Sequence, residues 1–588
     1  SELSSGAGRD CCLMRCLNHS TGFNNINREF IPGECLSPVS PSTRRTHMFG
    51  ILCGSGWYII PVMNNPSATR QIARAAGTVM AAFVLSNLAG LVRQIVVTNA
   101  FGTGLEIDAF NAANRVSETL FNLVAGGALA SAFIPTFTGL LAQEKKQDAW
   151  RLASSVVNLA LIVLCAASLL TALLAQPVVR YVLAPGFASH PGQEALTVAL
   201  LRLMLPSAVI FGLSGLVMGM LNAHQVFFIP ALTPAMYQLG LIFGTLVLAP
   251  RMGIFGLGWG VLIGAALHLG LQIPALLKLR GRYSLELGLK LKPVREVIWL
   301  MGPRLLGVAV VQLNFWVNTR LASHMGEGRV TALQLSFALM LMPQAAIAQS
   351  IAVAAMPVLA RQFTLGQQDE LRRSLGASLR GVVLLALPAT VGLILLRTPV
   401  VAALYQRGLF TAQSTELVAW ALAWYAAGLV GHSLVEILAR AFYAMHDTKT
   451  PVMVGGAAMG LNVVFSLGLA AWFEQLGWMP HGGLALANSL ATALEALCLL
   501  VLMRKRLAGL PLGGLASGFL QASAGTLGMG LVVWGWMSLL PEVPAWLMAG
   551  GGVALGGLAY VLSLLVLRVP EVKAILRGAR QRLLRRSG

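Results

Sequence analysis

Fourteen apolar stretches, each long enough to cross a bilayer, recur between residues 75 and 568, and they limit the fold more than any other feature. Their approximate limits are 75–98, 107–140, 152–175, 194–222, 228–249, 254–278, 297–322, 330–361, 374–397, 416–445, 450–473, 482–503, 515–540 and 545–568. A bilayer core needs about 20 apolar residues per helix. Charge placement tests the count. One set of connections carries Arg70, Arg74, Lys145, Lys146, Arg151, Lys278, Arg280, Arg282, Lys290, Lys292, Arg295, Arg361, Arg372, Arg373, Arg380, Lys449, Arg504, Lys505 and Arg506, and the tail continues it. The alternate set holds only Arg180, Arg251, Arg329, Arg397 and Arg407, with Glu106, Glu474 and Glu542. That asymmetry predicts an even number of spans with both termini cytoplasmic. Composition agrees: 56% of the residues are hydrophobic and 11% charged, against about a quarter charged in a soluble domain. The net charge of +20 would suggest nucleic acid in a soluble protein, but here it is a loop and tail property. The expected architecture is an all-α polytopic membrane protein.

Against this apolar background the second span is anomalous. Asp108, Asn111, Arg115, Glu118 and Asn122 recur at steps of three and four, which places them on one helix face. The stripe runs for roughly 21 Å at the α-helical rise. Ionisable groups at membrane depth are costly unless they face a hydrated cavity or a partner. The stripe is therefore expected to line a cavity.

The chain also repeats itself. At an offset of 222 residues Pro135 matches Pro357, Pro177 matches Pro399, Gly186 matches Gly408 and His224 matches His446. PVVRYVLAPGF in one half answers PVVAALYQRGLF in the other. Spans 1–6 and 7–12 thus read as two copies of one six-helix unit in the same orientation, with spans 13 and 14 added. Parallel repeats facing a cleft are an alternating-access transporter architecture. The implied units are an N-lobe over 70–283, a C-lobe over 284–510, two further helices over 511–568 and a basic cytoplasmic tail over 569–588. Residues 1–69 read as a disordered or artefactual extension; the apolar run Met48–Met63 within it is too short for a span.

Enzyme signatures are missing from the sequence: there is no GxxxxGK[ST], HExxH or GxSxG. Five of seven cysteines (Cys11, Cys12, Cys16, Cys35 and Cys53) precede residue 63 without zinc-like pairing. His224 and His446 fall in loops and read as helix-end groups rather than catalytic bases. No catalytic residue, metal or cofactor is expected.

The run SNLAGLVRQIVVTNAFGTGLEIDAFNAANRVSETLFNLVAGGALASAFIP (Ser86–Pro135) resembles the start of the lipid II flippases of the MurJ (MviN) family, part of the multidrug/oligosaccharidyl-lipid/polysaccharide exporter superfamily. The resemblance continues through LMGPRLLGVAVVQLNFWVNTRLAS, ALYQRGLFTAQST and ARAFYAMHDTKTPV, and covers nearly all of 70–510. It implies export of the undecaprenyl-pyrophosphate-linked peptidoglycan precursor from the inner to the outer leaflet of a bacterial plasma membrane. It also implies a cationic cavity containing Arg93, Asp108 and Arg115. Three family arginines are absent: their positions fall at Ser86-Asn87, Phe121 and Phe337-Ala338. Arg304 stands where relatives have a small residue, on a face shared with Gln312 and Asn318, while Asn314 falls off that line. The expected substrate-binding set is Arg93, Arg115 and Arg304, with Asp108, Asn111, Glu118, Asn122, Gln312 and Asn318 as its polar wall; the alternative for Arg304 is snorkelling to the cytoplasmic surface. Asn462 and Ser466, near Thr492, occupy a region where some relatives bind sodium, though no carboxylate accompanies them. Coupling to membrane potential or to a monovalent cation is the expectation.

The glycines of spans 13 and 14 (Gly525, Gly528, Gly530, Gly535, Gly550, Gly551, Gly552, Gly556 and Gly557) serve close helix packing, and the resemblance adds a groove for the polyprenyl tail. The tail segment KAILRGARQRLLRR reads as an amphipathic helix on the anionic leaflet. Two rival readings remain: a different transporter of the superfamily, whether a drug antiporter or a flippase for another polyprenyl-linked glycan, and a transport-inactive scaffold that recruits wall-synthesis enzymes.

Overall fold

The computed structural model describes residues 50–53, 56–59, 66–124 and 130–571, so the amino-terminal extension for the most part and the basic tail lie outside the described residues. Two compact units are present, Ser1–Arg70 and Gln71–Gly588. In the first, β1 (Gly50–Cys53) pairs antiparallel with β2 (Gly56–Ile59).

The second unit is helical. Helices α1 (Pro66–Phe101, which begins in the last residues of the first unit), α2 (Leu105–Val124), α3 (Ala130–Ala142), α4 (Lys146–Leu173), α5 (Gln193–Ala223), α6 (Phe228–Phe243) and α7 (Ile254–Gly270) fall in the stretch read as the N-lobe. The C-lobe follows with α8 (Lys292–Ser323), α9 (Arg329–Gln344), α10 (Ser350–Thr364), α11 (Gln368–Leu395), α12 (Ala412–Ala427), α13 (Leu429–Ala444), α14 (Lys449–Gln475) and α15 (His481–Arg506). Helices α16 (Leu512–Leu539) and α17 (Ala545–Val566) complete the chain. Among the described residues, 11 helices are long and apolar enough to span, or 13 when two bent pairs each count as one. The expected span 107–140 is represented by α2 and α3, and residues 125–129 between them lie outside the described residues.

The repeat is visible in the backbone. Helices α4 and α11 start and stop 222 residues apart. Their flanking residues repeat too: Lys145 (φ −81°, ψ 58°) answers Gln367 (φ −78°, ψ 66°), and Leu174 (φ −91°, ψ 15°) answers Leu396 (φ −89°, ψ 12°). Just before them Glu144 and Gly366 both take the left-handed conformation.

Burial differs between the two ends of the bundle. Where α1 ends and α2 begins, one continuous core draws from both lobes, including Phe110, Val116 and Phe187 with Val330, Leu333, Phe410 and Leu417. Around the opposite ends of these helices each lobe has its own cluster, Phe133, Phe137, Leu152 and Leu216 in one and Leu359, Leu371, Phe442 and Met503 in the other. Val294 and Val297, from the first turns of α8, join the N-lobe cluster. Large apolar side chains such as Leu173, Leu246, Leu531 and Val566 lie exposed on the helices, as a lipid-facing surface requires. In α16 and α17, Gly525, Gly528, Gly551, Gly552 and Gly556 sit where a Cβ would meet a neighbouring side chain, whereas Gly535, Gly550 and Gly557 face open space.

Candidate functional site: a cavity between the lobes

Asp108 begins the stripe, and it bonds across the bundle to the start of α9. Its carboxylate is buried at 1% exposure and accepts the backbone N–H groups of Gly328 at 2.7 Å and Thr331 at 2.8 Å. The Thr331 hydroxyl donates to the same group at 2.5 Å. These are first-turn donors of α9, which have no partner within their own helix, and an anion there also complements the helix dipole. The reverse contact exists as well: Glu327 accepts the N–H of Leu105 at the start of α2, at 3.1 Å. Each of these two facing helices is therefore capped by a carboxylate from the other lobe.

Close backbone approaches reinforce this seam. The Leu409 N–H donates to the Asn99 carbonyl at 3.0 Å, the Gly186 N–H to the Ser323 hydroxyl at 3.1 Å, and the Thr103 hydroxyl to Ser414 at 2.8 Å. Gly186 and Gly408, the repeat-related pair, do the same job from opposite lobes. A Cβ on Gly186 would lie 2.1 Å from the Ser323 carbonyl, and one on Gly408 2.4 Å from that of Asn99. Only glycine allows either contact.

Beyond the seam, two adjoining cavities open between the lobes. The larger, about 860 Å³, is lined by Arg115, Asn318, Phe337, Ala338, Tyr425 and Asn488 among others. The second, about 450 Å³, contains Arg93 and Thr331. Asn111 and Gln334 line both, so the two arginines belong to one polar surface. Arg115 pairs with Glu118 at 3.1 Å and its guanidinium lies 4.9 Å from the centre of the Phe315 ring. The Nε–H groups of Arg93 and Arg115 are buried without a hydrogen-bond partner. A buried, unpaired guanidinium donor is costly.

The remaining stripe divides between purposes. Asn111 donates to the Thr331 hydroxyl at 2.9 Å, extending the seam. Glu118 also accepts from Asn114 at 2.8 Å, and with Asn122 it faces a third cavity inside the N-lobe. Of the residues on α8, Gln312 accepts from Thr119 at 3.3 Å, Asn318 lines the central cavity, and the side chain of Arg304 lies outside the described residues. Asn314, expected off the line, is the hub of a polar cluster: its Oδ1 accepts from Asn318 at 3.3 Å and Asn462 at 3.2 Å. Ser466 donates to Asn462 at 3.1 Å. The structure thus joins Asn462 and Ser466, but Thr492 instead stands 3.4 Å from His432. Among the described residues there is no group of three His, Cys, Asp or Glu that could hold a metal.

Several wall residues escape a reading of the sequence. Gln334 and Asn488 are scattered among other polar residues of mainly apolar helices, Ser336 and Gln344 in α9 and Ser489, Thr492 and Glu495 in α15, a weaker signal than a stripe. Thr331, Glu327 and Tyr425 carry no such mark, since their roles come from the opposite lobe. Glu436 and Arg440 also lie within a span, and they pair with each other at 2.6 Å.

Comparison with known proteins places this geometry in a family. The family model described as lipid II flippase MurJ matches residues 97–549. The lipid II flippase MurJ of Burkholderia cenocepacia is 32% identical over 472 residues, 78% of this chain and 89% of its own length. The probable lipid II flippase MurJ of Rhizobium tropici is 30% identical, over 73% and 80% of the two chains. A solved lipid II flippase MurJ in an inward closed conformation shares the fold, with a TM-score of 0.71 at 24% identity over 83% of this chain and 98% of that one. An inward-facing MATE family multidrug resistance transporter of the MOP superfamily follows at 0.59 and 16%, over 72% and 94%. The matched region includes most of both lobes and all of the stripe, and this chain belongs to the lipid II flippase MurJ family.

Proposed function

We propose that the chain is a flippase that moves a polyprenyl-pyrophosphate-linked peptidoglycan precursor, lipid II, across the bacterial inner membrane by alternating access. The observation that carries this reading is the pair of half-buried arginines, Arg93 and Arg115, each with a buried, unpartnered Nε–H, that line adjoining cavities between the lobes. Guanidinium forks match phosphate oxygens bidentately and stay charged at any relevant pH. A pyrophosphate held there would supply acceptors for donors that otherwise remain unsatisfied.

The cycle follows from the seam. With Asp108 capping α9 and Glu327 capping α2, the outer end of the bundle is held shut while the head group enters from the other side. Release of those caps would separate the lobes at the outer end, and a rocking motion would bring their opposite ends together. Helices α16 and α17 would offer the polyprenyl tail a path that never leaves an apolar environment. Both termini face the cytoplasm in this scheme, and the role is transport rather than chemical catalysis.

The test is depletion rescue in a bacterium lacking its own flippase, with lipid-linked precursor measured separately in each leaflet. Wild-type chain should restore outer-leaflet precursor, and Arg93→Ala with Arg115→Ala should not. Correct insertion without precursor movement would reject transport and leave the scaffold reading.

A further inference from the structure

The cavity inside the N-lobe has a chemistry of its own. It is a partly open space of about 780 Å³, lined from α2, α5, α6 and α7 rather than from the lobe interface. Its polar lining is Asn114, Ser117, Glu118, Asn122, Ser207, Tyr237 and His268. Ser117 and Ser207 are 4% and 1% exposed, and neither hydroxyl has a hydrogen-bond partner. Buried hydroxyls are normally satisfied; these two orphans, one on α2 and one on α5, border the same cavity and point to a missing ligand. The His268 ring is occupied at one nitrogen, 2.6 Å from the Ser214 hydroxyl, which also accepts from Gln272 at 2.6 Å. Apart from that ring, the chamber lining offers oxygen donors and a single carboxylate, Glu118.

We infer that this chamber binds a sodium-class monovalent cation at Glu118, with the Ser117 and Ser207 hydroxyls as ligands, and that its occupancy frees Arg115 for the anionic substrate. Oxygen ligands select hard cations. One carboxylate with neutral oxygens balances a single positive charge, whereas divalent sites usually recruit more carboxylates. The link to the central cavity is Glu118 itself. The same carboxylate group that faces the chamber holds Arg115 at 3.1 Å, and Arg115 lines the cavity between the lobes. A cation at Glu118 competes with the guanidinium for that charge and repels it. Arg115 then gains hydrogen-bonding capacity on the cavity side. Because coupling between two ligands is reciprocal, an anion on Arg115 also tightens the cation. The second half of the inference rests on the anion site proposed above; the first half does not.

Sodium binding to the purified full-length chain can be followed with radioactive sodium at constant ionic strength in choline chloride, with no substrate present. Saturable binding is expected in the wild type, lost in Glu118→Gln and weakened at least tenfold in Ser207→Ala. The Asn462→Ala chain, altered in the C-lobe polar cluster, should bind as the wild type does. Binding that survives Glu118→Gln, or that disappears in Asn462→Ala alone, overturns the site. The coupling is read with inorganic pyrophosphate as probe: sodium should raise its affinity at least threefold in the wild type and leave Glu118→Gln unmoved. Equal pyrophosphate affinity with and without sodium overturns the coupling. Failure of pyrophosphate to bind at all would refute the anion site and the coupling with it, while the sodium measurement would still decide the chamber.

Discussion

Helices α2 and α9 occupy corresponding places in the two lobes, yet only one of them is charged along its length. Helix α2 carries Asp108, Arg115 and Glu118; past its first residue, Arg329, α9 presents Thr331, Gln334, Phe337 and Ala338. The backbones obey the repeat, with flanking turns that agree to within about ten degrees at α4 and α11. The side chains facing the cavity do not. Symmetry in this protein is therefore a property of packing, and the chemistry of the cavity is asymmetric. On the reading proposed above, a cleft with cationic groups on one wall and neutral polar ones on the other would let the anion slide off when the lobes part, whereas two cationic walls would hold it from both sides.

The largest effect should come from the one place where the charged wall grips the neutral one. Asp108→Ala removes a buried carboxylate that accepts three hydrogen bonds from α9. Hydrogen bonds to a charged group are worth about 1.5–3 kcal/mol each, so losing all three should weaken the closed seam by at least about 4.5 kcal/mol, roughly a thousandfold or more in population. In a chain stripped of its native cysteines, a cysteine at Ser323 should then label rapidly with a membrane-impermeant maleimide from outside. Unchanged labelling would mean that the glycine contacts, not the caps, keep the seam shut.

Next comes the charge itself. Arg115→Ala should lower precursor translocation at least tenfold, with Arg115→Lys retaining part of it because ammonium cannot reproduce the bidentate fork. The comparison of walls supplies a sharper version. Ala338 lines the same cavity from the opposite helix, so Ala338→Arg should restore part of the activity of Arg115→Ala while slowing release in the wild-type background. Rescue without slowed release would show that the asymmetry of the walls has no part in letting the substrate go.

How much of this was written in the sequence depends on whether a feature is local. The spans, the parallel repeat and the stripe were legible because hydropathy and helical periodicity are carried by neighbouring residues. Asp108 was recognisable as important, but its role was not. A carboxylate on a cavity stripe and a carboxylate capping a helix of the other lobe look alike until Thr331 is brought to it. The hub position of Asn314 escaped because face arithmetic on one straight helix ignores α14, whose Asn462 bonds to it. Residues such as Gln334 and Asn488 become wall residues only once the lobes are placed.

The smallest effect concerns the turns that the repeat places at His224 and His446, where the lobes differ again. In the N-lobe turn Gln225 takes φ 62°, and in the C-lobe turn His446 takes φ 59°. Next to His446, Asp447 accepts the Thr450 N–H at 3.0 Å and its hydroxyl at 2.8 Å in the first turn of α14, and Arg506 pairs with it. The N-lobe has Gln225 where the 222-residue offset would place this carboxylate. The Thr450 backbone hydrogen bond, above all, holds the Asp447 carboxyl below its ordinary range, with Arg506 assisting. A carboxyl with a depressed folded pKa contributes stability that is complete above its unfolded value, about 3.9, and lost as pH falls through the lower folded value. Asp447→Ala should therefore cost about 1 kcal/mol at pH 7, in the range of a lost helix-start carboxylate. That difference should shrink when thermal unfolding is followed below about pH 4, while Gln225→Ala should change little at either pH. A gap between wild type and Asp447→Ala that stayed constant on acidification would assign the turn's stability to packing and erase this difference between the lobes.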